Sequence, residues 1–261
     1  MPDQPLAGLR VLVTREREAS AEFAALLAGA GATPVICPAI EIAYRNPPGL
    51  DEALRGLARF DWLVLTSANA VRALAARFDA LELDPEAALD GVAIGVVGAA
   101  TGTALAQLGG RPEVVAQPAH AEELAERLAA AGVDGALVLF PASRIARPEL
   151  AQRLRVAGAG VVQLSVYDTV APRNLTVPDV SRIDVATFTS PSTVRNFIDA
   201  AGGEWFASIP VVCTGPTTAD AARAAGIANP IVAGEASLDG LTAALAQFKR
   251  QREQVRSYGT G

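Results

Sequence analysis

Short apolar runs rich in Val, Ile and Leu alternate along this chain with Ala-rich segments whose apolar positions recur at helical spacing. The runs predict strands over Arg10–Thr14, Pro34–Ala39, Trp62–Thr66, Ala93–Val97, Glu113–Ala116, Ala136–Phe140, Gly160–Leu164, Val185–Thr189, Val211–Thr214 and Ile231–Ala233. The segments between them predict helices over about Ser20–Gly29, Asn69–Phe78, Ala100–Leu108, Ala121–Ala130, Pro148–Ala157, Ser192–Ala200, Pro216–Ala225 and Leu238–Phe248. Strands that are apolar throughout, not at every second position, are buried on both faces. Alternating with helices, they predict an α/β fold of parallel sheets covered on both sides.

The pattern also repeats. Thr66-Ser-Ala-Asn-Ala-Val-Arg72 is echoed by Thr189-Ser-Pro-Ser-Thr-Val-Arg195, and Val97-Gly-Ala-Ala-Thr-Gly-Thr103 by Thr214-Gly-Pro-Thr-Thr-Ala-Asp220. Pro112-Glu-Val-Val-Ala-Gln-Pro118 is echoed by Pro230-Ile-Val-Ala-Gly-Glu-Ala236, and the opening unit through Ala39 by Ala136 through Tyr167. Echoes in one order mean two copies of an α/β unit, A-B-C-D followed by A′-B′-C′-D′. Each copy carries a long strand at the same point. The first runs on through Ile40–Arg45 to a break at Asn46-Pro-Pro-Gly49; the second covers Gly160–Ala171 and stops at Pro172. Both read as crossings between domains, so that A can pair with B′C′D′ and A′ with BCD. The expected architecture is two similar doubly wound parallel-sheet domains, flavodoxin-like with five strands each, joined by a two-stranded β-ladder. Residues 1–38 with 174–261 are the expected discontinuous domain, 48–161 the continuous one, and 39–47 and 162–173 the linker strands, thin enough to let the domains rotate.

Composition narrows the chemistry. The 261 residues carry 22 Lys and Arg against 28 Asp and Glu, a net charge of −6, with a pI near 5.0. Such a chain lacks the global basic charge of a nucleic-acid binder. Lys249 is the sole lysine, so 21 of the 22 cations are arginines. No apolar run reaches the roughly 20 residues that span a bilayer. Met1-Pro-Asp-Gln-Pro5 has neither region of a secretory signal, and a cytoplasmic chain is expected. Cys37 and Cys213 lie in apolar runs and read as buried free thiols. The one histidine, His120, precedes Ala121-Glu-Glu and reads as a surface cap residue. One histidine and two distant cysteines do not make a closed zinc site, which takes four N or S ligands; no metal is expected. The chain has no Gly-x-x-x-x-Gly-Lys-Ser/Thr loop, and Gly95-Val-Val-Gly98-Ala-Ala-Thr-Gly102 is wrongly spaced for a dinucleotide fingerprint.

In open parallel sheets, ligands bind beyond the carboxyl ends of the strands, where helix N-termini point. Those ends carry Thr14-Arg15, Thr66-Ser67-Ala68-Asn69, Gly98-Ala-Ala-Thr101, Pro141-Ala-Ser143-Arg144, Thr189-Ser190-Pro191-Ser192 and Gly215-Pro216-Thr217-Thr218. Each hydroxyl either caps its own helix or, with free backbone N–H groups, binds an anion. Arg15, Arg72, Arg144, Arg147 and Arg195 fall at strand ends or in first helical turns, where a cation opposes the helix dipole. Bidentate binding of carboxylates explains that placement; solvated surface arginines are the plain alternative. Tyr167 lies on the second long strand, in Leu164-Ser-Val-Tyr-Asp-Thr-Val170. A phenol there can donate a proton or anchor a ligand, or simply belong to an amphipathic strand.

These residues bring a family into view. Over nearly its whole length the chain resembles the uroporphyrinogen-III synthase family. The resemblance is carried by Val11-Leu-Val-Thr-Arg15, Phe60-Asp-Trp-Leu-Val-Leu-Thr-Ser-Ala-Asn-Ala-Val71, Val97-Gly98, Leu139-Phe-Pro141, Val166-Tyr-Asp-Thr169, Phe188-Thr-Ser-Pro-Ser192 and Gly215-Pro-Thr-Thr218. It implies two α/β domains joined by a two-stranded ladder, the first completed by the C-terminal portion. It implies an enzyme without metal or organic cofactor that takes hydroxymethylbilane, a linear tetrapyrrole with eight carboxylates. That substrate loses water and closes with its last ring inverted, through a spiro intermediate, to uroporphyrinogen III for haem, sirohaem and corrinoid synthesis. By motif match, Tyr167 would assist departure of the hydroxyl. Thr66, Ser67, Thr189, Ser190, Ser192, Gly215, Thr217 and Thr218 would bind side-chain carboxylates, and Arg15, Arg72, Arg144 and Arg195 would supply charge. Asn69, Gly98 and Ser143 at the strand ends complete the candidate binding set. The pyrroles expel hydroxide themselves, so the protein's task is to impose a conformation and stabilise charge. A monomer is expected, without nucleic-acid or membrane partners, with hand-over of substrate from hydroxymethylbilane synthase. Two rivals stand beside this reading. One is a non-catalytic two-domain hinge protein for a small anionic ligand. The other is a flavodoxin-like FMN carrier, against which stands the scarcity of aromatic residues near the strand-end loops.

Overall fold

The computed structural model describes residues 4–116 and 121–258; His120 lies outside them. In chain order the first elements are β1 (Arg10–Val13), α1 (Arg17–Gly29), β2 (Thr33–Ile36), β3 (Glu41–Tyr44), α2 (Leu50–Arg55), β4 (Trp62–Leu65), α3 (Ala68–Ala80) and α4 (Pro85–Leu89). Then follow β5 (Ala93–Val97), α5 (Ala99–Gln107), β6 (Val114–Ala116), α6 (Ala121–Ala130), β7 (Leu137–Ser143), α7 (Glu149–Val156) and β8 (Gly160–Val170). The chain closes with β9 (Val185–Phe188), α8 (Pro191–Ala201), β10 (Val211–Cys213), α9 (Pro216–Ala224), β11 (Ile231–Val232) and α10 (Leu238–Tyr258). Two compact units result, Met1–Glu41 with Val170–Gly261 and Ile42–Thr169. Among the described residues no helix is long and apolar enough to cross a membrane.

The first unit holds one parallel sheet in the order β11-β10-β9-β1-β2. Its strands are buried on both faces. Val11 and Val13 meet Phe23 and Leu27 of α1 and Leu241 and Leu245 of α10. Leu12, between them, points the other way, into the core shared with Val194 and Phe197 of α8 and Ala219 and Ala222 of α9. This is why the strand sequence is continuously apolar. β2 is an edge strand, which is where Pro34, lacking an N–H, is tolerated.

The second unit repeats the plan. Its sheet runs β3-β8-β7-β4-β5-β6, with every pair from β8 to β6 parallel. Leu63 and Leu65 pack with Leu74 and Phe78 of α3 and Leu105 of α5; Trp62 and Val64 pack with Leu124 and Leu128 of α6 and Leu150 and Leu154 of α7. The copies have exchanged halves: β1 and β2 pair with β9 to β11, while β7 and β8 pair with β4 to β6.

Several expectations are corrected. The second sheet has six strands, not five, because Glu41–Tyr44 adds itself to the edge of β8. β7 runs on to Ser143, so Pro141–Ser143 is strand where a loop was expected. α1 starts at Arg17, ahead of Ser20, because the Glu16 side chain accepts from the Glu18 and Ala19 N–H groups. The last helix, predicted over about Leu238–Phe248, runs on to Tyr258. α2 and α4 have no counterpart in the sequence reading; each is about one turn of chain that drops Leu50, Leu54 or Leu89 into the core.

Candidate active site

In the second unit the direction of winding reverses between β4 and β7, and ligands bind at the carboxyl ends of strands at such a point. Thr66 and Ser67 follow β4, partly exposed. Ser67 caps α3, its hydroxyl accepting from the Asn69 N–H at 3.1 Å. Asn69 Oδ1 accepts from the Arg72 guanidinium at 2.9 Å. Tyr167 arrives from β8, two strands away, and donates its hydroxyl to Ser67 Oγ at 3.1 Å. Ser67, Asn69 and Arg72, neighbours at the start of α3, and Tyr167, 100 residues from Ser67, form one chain of polar contacts.

An irregularity in β8 makes this possible. Pairing with β7 runs in step from Leu137↔Gly160 to Ala142↔Ser165, then jumps to Ser143↔Tyr167 and leaves Val166 over. Successive side chains of a regular strand point to opposite faces. Val166 and Tyr167 instead share one face, in the core beneath α3 and α5. The extra residue turns Tyr167 toward Ser67.

Asp168, next in the strand, is buried and accepts from Arg45 and, at 2.7 Å, from Arg144 Nε. Burial pushes the Asp168 carboxyl up, but the hydrogen bonds and charges of the two guanidinium groups outweigh it and hold the group below the ordinary carboxylate range. The sequence reading missed Asp168 and Arg45. The signal was there, since a carboxylate in a buried strand requires a partner. Arg144 was expected to supply charge for substrate; its guanidinium is engaged by Asp168 and 61% exposed. Ser143 accepts from the Ile145 N–H at 3.3 Å, a local turn. Gly98 heads α5 at φ +78°, a conformation side chains disfavour.

In the first unit the reversal lies between β1 and β9. Thr14 and Thr187 lock these strands together, Thr14 Oγ1 donating to Thr187 O at 2.8 Å and Thr187 Oγ1 to Leu12 O at 2.7 Å. Arg15 follows, partly buried, with no ion pair among the described residues. Burial lowers its pKa, and the charges of Glu22 and Glu16 only partly offset this. Thr189 is partly exposed after β9. Ser190 forms a capping box with Thr193 and lies 2.9 Å from Ser192 Oγ. Arg195 is exposed one turn further along α8. Gly215 heads α9 in ordinary extended backbone, and a Cβ there would meet nothing within 4 Å. Thr217 is exposed beside it, but Thr218 is buried with Ala219 and Ala222 on the core side of the helix.

Both cysteines are buried and unpaired, and burial pushes the thiols up, Cys37 to about 11 and Cys213 to about 12. Neither is a nucleophile at neutral pH. Among the described residues no group of His, Cys, Asp and Glu could hold a metal ion.

Parallel α/β units whose strand ends carry hydroxyls, helix N-termini and, at Arg15, a guanidinium with no ion pair among the described residues define a class: α/β proteins of parallel sheets with polar strand ends. Likeness to known proteins narrows it. The family model described as uroporphyrinogen-III synthase HemD matches residues 21–243. The uroporphyrinogen-III synthase of Synechococcus elongatus is 35% identical, over 96% of this chain and 99% of its own. That of Chlorobaculum parvum is 28% identical, over 85% and 92%. Two solved structures share the fold. A mutant uroporphyrinogen III synthase of Thermus thermophilus has a TM-score of 0.57 at 23% identity, covering 95% of this chain and 100% of that one. The Helicobacter pylori uroporphyrinogen-III synthetase has a TM-score of 0.62 at 20% identity, covering 90% and 96%. The chain belongs to the uroporphyrinogen-III synthase family.

Proposed function

We propose that the chain is an enzyme that converts hydroxymethylbilane to uroporphyrinogen III. The observation that carries this is the 35% identity to a synthase over 96% of the chain, joined at one point by the contact of Tyr167 with Ser67. The reaction removes one water. Tyr167 gives its proton to the departing hydroxyl while a pyrrole nitrogen supplies the electron pair that breaks the carbon–oxygen bond, leaving an azafulvene cation. The substituted carbon of the last ring attacks this cation, and the spiro intermediate fragments and recloses with that ring inverted. Loss of a ring proton restores aromaticity. Because the substrate supplies its own electrons, the protein's part is to hold a conformation that favours inversion over direct closure and to balance charge.

The substrate's carboxylates are bound by the hydroxyls and helix N-termini at the strand ends: Thr66, Ser67, Asn69, Gly98 and Ser143 in one unit, and Thr189, Ser190, Ser192, Gly215, Thr217 and, through its backbone N–H alone, Thr218 in the other. Arg15, Arg72, Arg144 and Arg195 supply charge, and the lack of an ion pair to Arg15 among the described residues supports its part in that role. The open space where Gly215 lacks a side chain supports close approach of a carboxylate to the start of α9. The two units, Met1–Glu41 with Val170–Gly261 and Ile42–Thr169, act as doubly wound flavodoxin-like domains, and the segments 39–47 and 162–173 carry the chain from one to the other. The protein acts in the cytoplasm as a monomer that receives its substrate from hydroxymethylbilane synthase.

The test is to give the purified chain hydroxymethylbilane, oxidise the products and separate the isomers chromatographically. Isomer III as the main product, formed faster than spontaneous closure, is the expected result. Isomer I alone, at the uncatalysed rate, overturns the proposal.

A further inference from the structure

The carboxylate of Asp168 faces two arginines rather than the Tyr167–Ser67 pair. Its partners hold more than the charge. Arg45, just past β3, donates its backbone N–H to Val166 O at 2.8 Å and its guanidinium to Asp168 Oδ2. Arg144, just past β7, donates its backbone N–H to Tyr167 O at 3.0 Å and its Nε to Asp168 Oδ1 at 2.7 Å. β3 and β7 flank β8. Each arginine therefore grips β8 twice, from opposite sides, around the surplus residue Val166 and the tyrosine that follows.

We infer that Asp168 is a positioning residue: with Arg45 and Arg144 it clamps the one-residue bulge of β8 and so keeps Tyr167 turned toward Ser67. The clamp is needed because a strand that slips by one residue sends each side chain to the opposite face. The hydrophobic pattern opposes such a slip only weakly here, since Val166 and Tyr167 are both able to fill the same core. Two ion pairs on the next residue select the bulged register over the regular one. The inference rests on the reading of Tyr167 as the acid.

A double-mutant cycle tests it, with kcat and KM for isomer III measured on Asp168→Asn, Tyr167→Phe and the pair. Asp168→Asn should lower kcat about ten- to a hundredfold, as misplacement of a reacting group does, with KM little changed. In the Tyr167→Phe background the same substitution should cost nothing further. Independently, the Arg144 amide should exchange its hydrogen about tenfold faster in Asp168→Asn, because the β7–β8 ladder opens there. Equal fractional losses of kcat in both backgrounds, or an unchanged exchange rate, overturn the clamp. If the native chain forms no isomer III, the functional proposal fails and amide exchange alone decides on the clamp. Should Asp168→Asn not fold, Arg45→Gln, which leaves Asp168 paired with Arg144, takes its place. It should give a smaller loss of kcat that also vanishes beside Tyr167→Phe; a loss that persists there overturns the clamp.

Discussion

The two units share one frame and differ in one strand. In each, an aspartate just before an inner strand closes the same joint: Asp184 accepts from the Arg10 N–H at 2.9 Å, and Asp61 from the Leu137 N–H at 2.7 Å. In each, a serine after that strand caps the next helix, Ser190 on α8 and Ser67 on α3. The strand that follows β1 is broken, however, while the one that follows β7 is not. β2 stops at Ile36, before Cys37-Pro38, and the chain resumes as β3 in the other sheet. Proline at 38 has no N–H with which to continue a ladder. β8 meets no proline and runs unbroken from Gly160 to Val170, with room for the bulge that aims Tyr167. The cores differ too. Phe188, Phe197, Trp205 and Phe206 pack together in the first unit, edge to face except for the tilted pair Phe188–Phe206, with centroids 4.9 to 5.9 Å apart. The corresponding face of the second is mainly aliphatic, with Leu74, Leu105 and Leu139. Duplication has kept the frame, and the asymmetry has placed the phenol in one unit only.

The sharpest way to break that contrast is Tyr167→Phe. It should slow isomer III formation by about 10²- to 10⁴-fold, the range for a lost general acid, while the melting curve stays nearly unchanged. A near-normal rate would remove the distinction between the units. Next, Phe197→Ala should lower the unfolding free energy by about 4 kcal/mol, and Leu105→Ala by about 3 kcal/mol. Denaturant titration of both variants checks this, and equal losses would mean that the aromatic cluster adds nothing beyond its volume. The smallest effect is expected from Arg15→Gln. Loss of a charge-assisted bond to the substrate should raise KM about tenfold with kcat retained. A fall in kcat at constant KM would instead bring the first unit into the chemical step.

Much of the frame is legible in the chain. Continuous runs such as Trp62–Leu65 announce strands buried on both faces, because a strand covered on one side would alternate. The echo of Thr66–Arg72 in Thr189–Arg195 marks the two helix starts, and the structure finds a serine cap at both. Tyr167 and Ser67 were legible as candidates but not as partners, since the order of β8, β7 and β4 across the sheet is not a local property. Arg144 was legible as a cation at a strand end; that Asp168 engages it depends on a ladder between segments far apart in sequence. Thr217 and Thr218 look alike in the sequence, and only the rotation of α9 against its sheet sends one outward and the other into the core.

The sequence by itself determined the α/β class, the duplication and the inventory of hydroxyls and arginines, because hydrophobic period and repeated motifs are properties of neighbouring residues. The tertiary structure decided the six-stranded sheet, the bulge at Val166 and the pairing of Arg45 and Arg144 with Asp168. The reason is that strand register is chosen between segments, by hydrogen bonds and ion pairs that no single stretch of chain contains. One residue of register decides which face Tyr167 occupies.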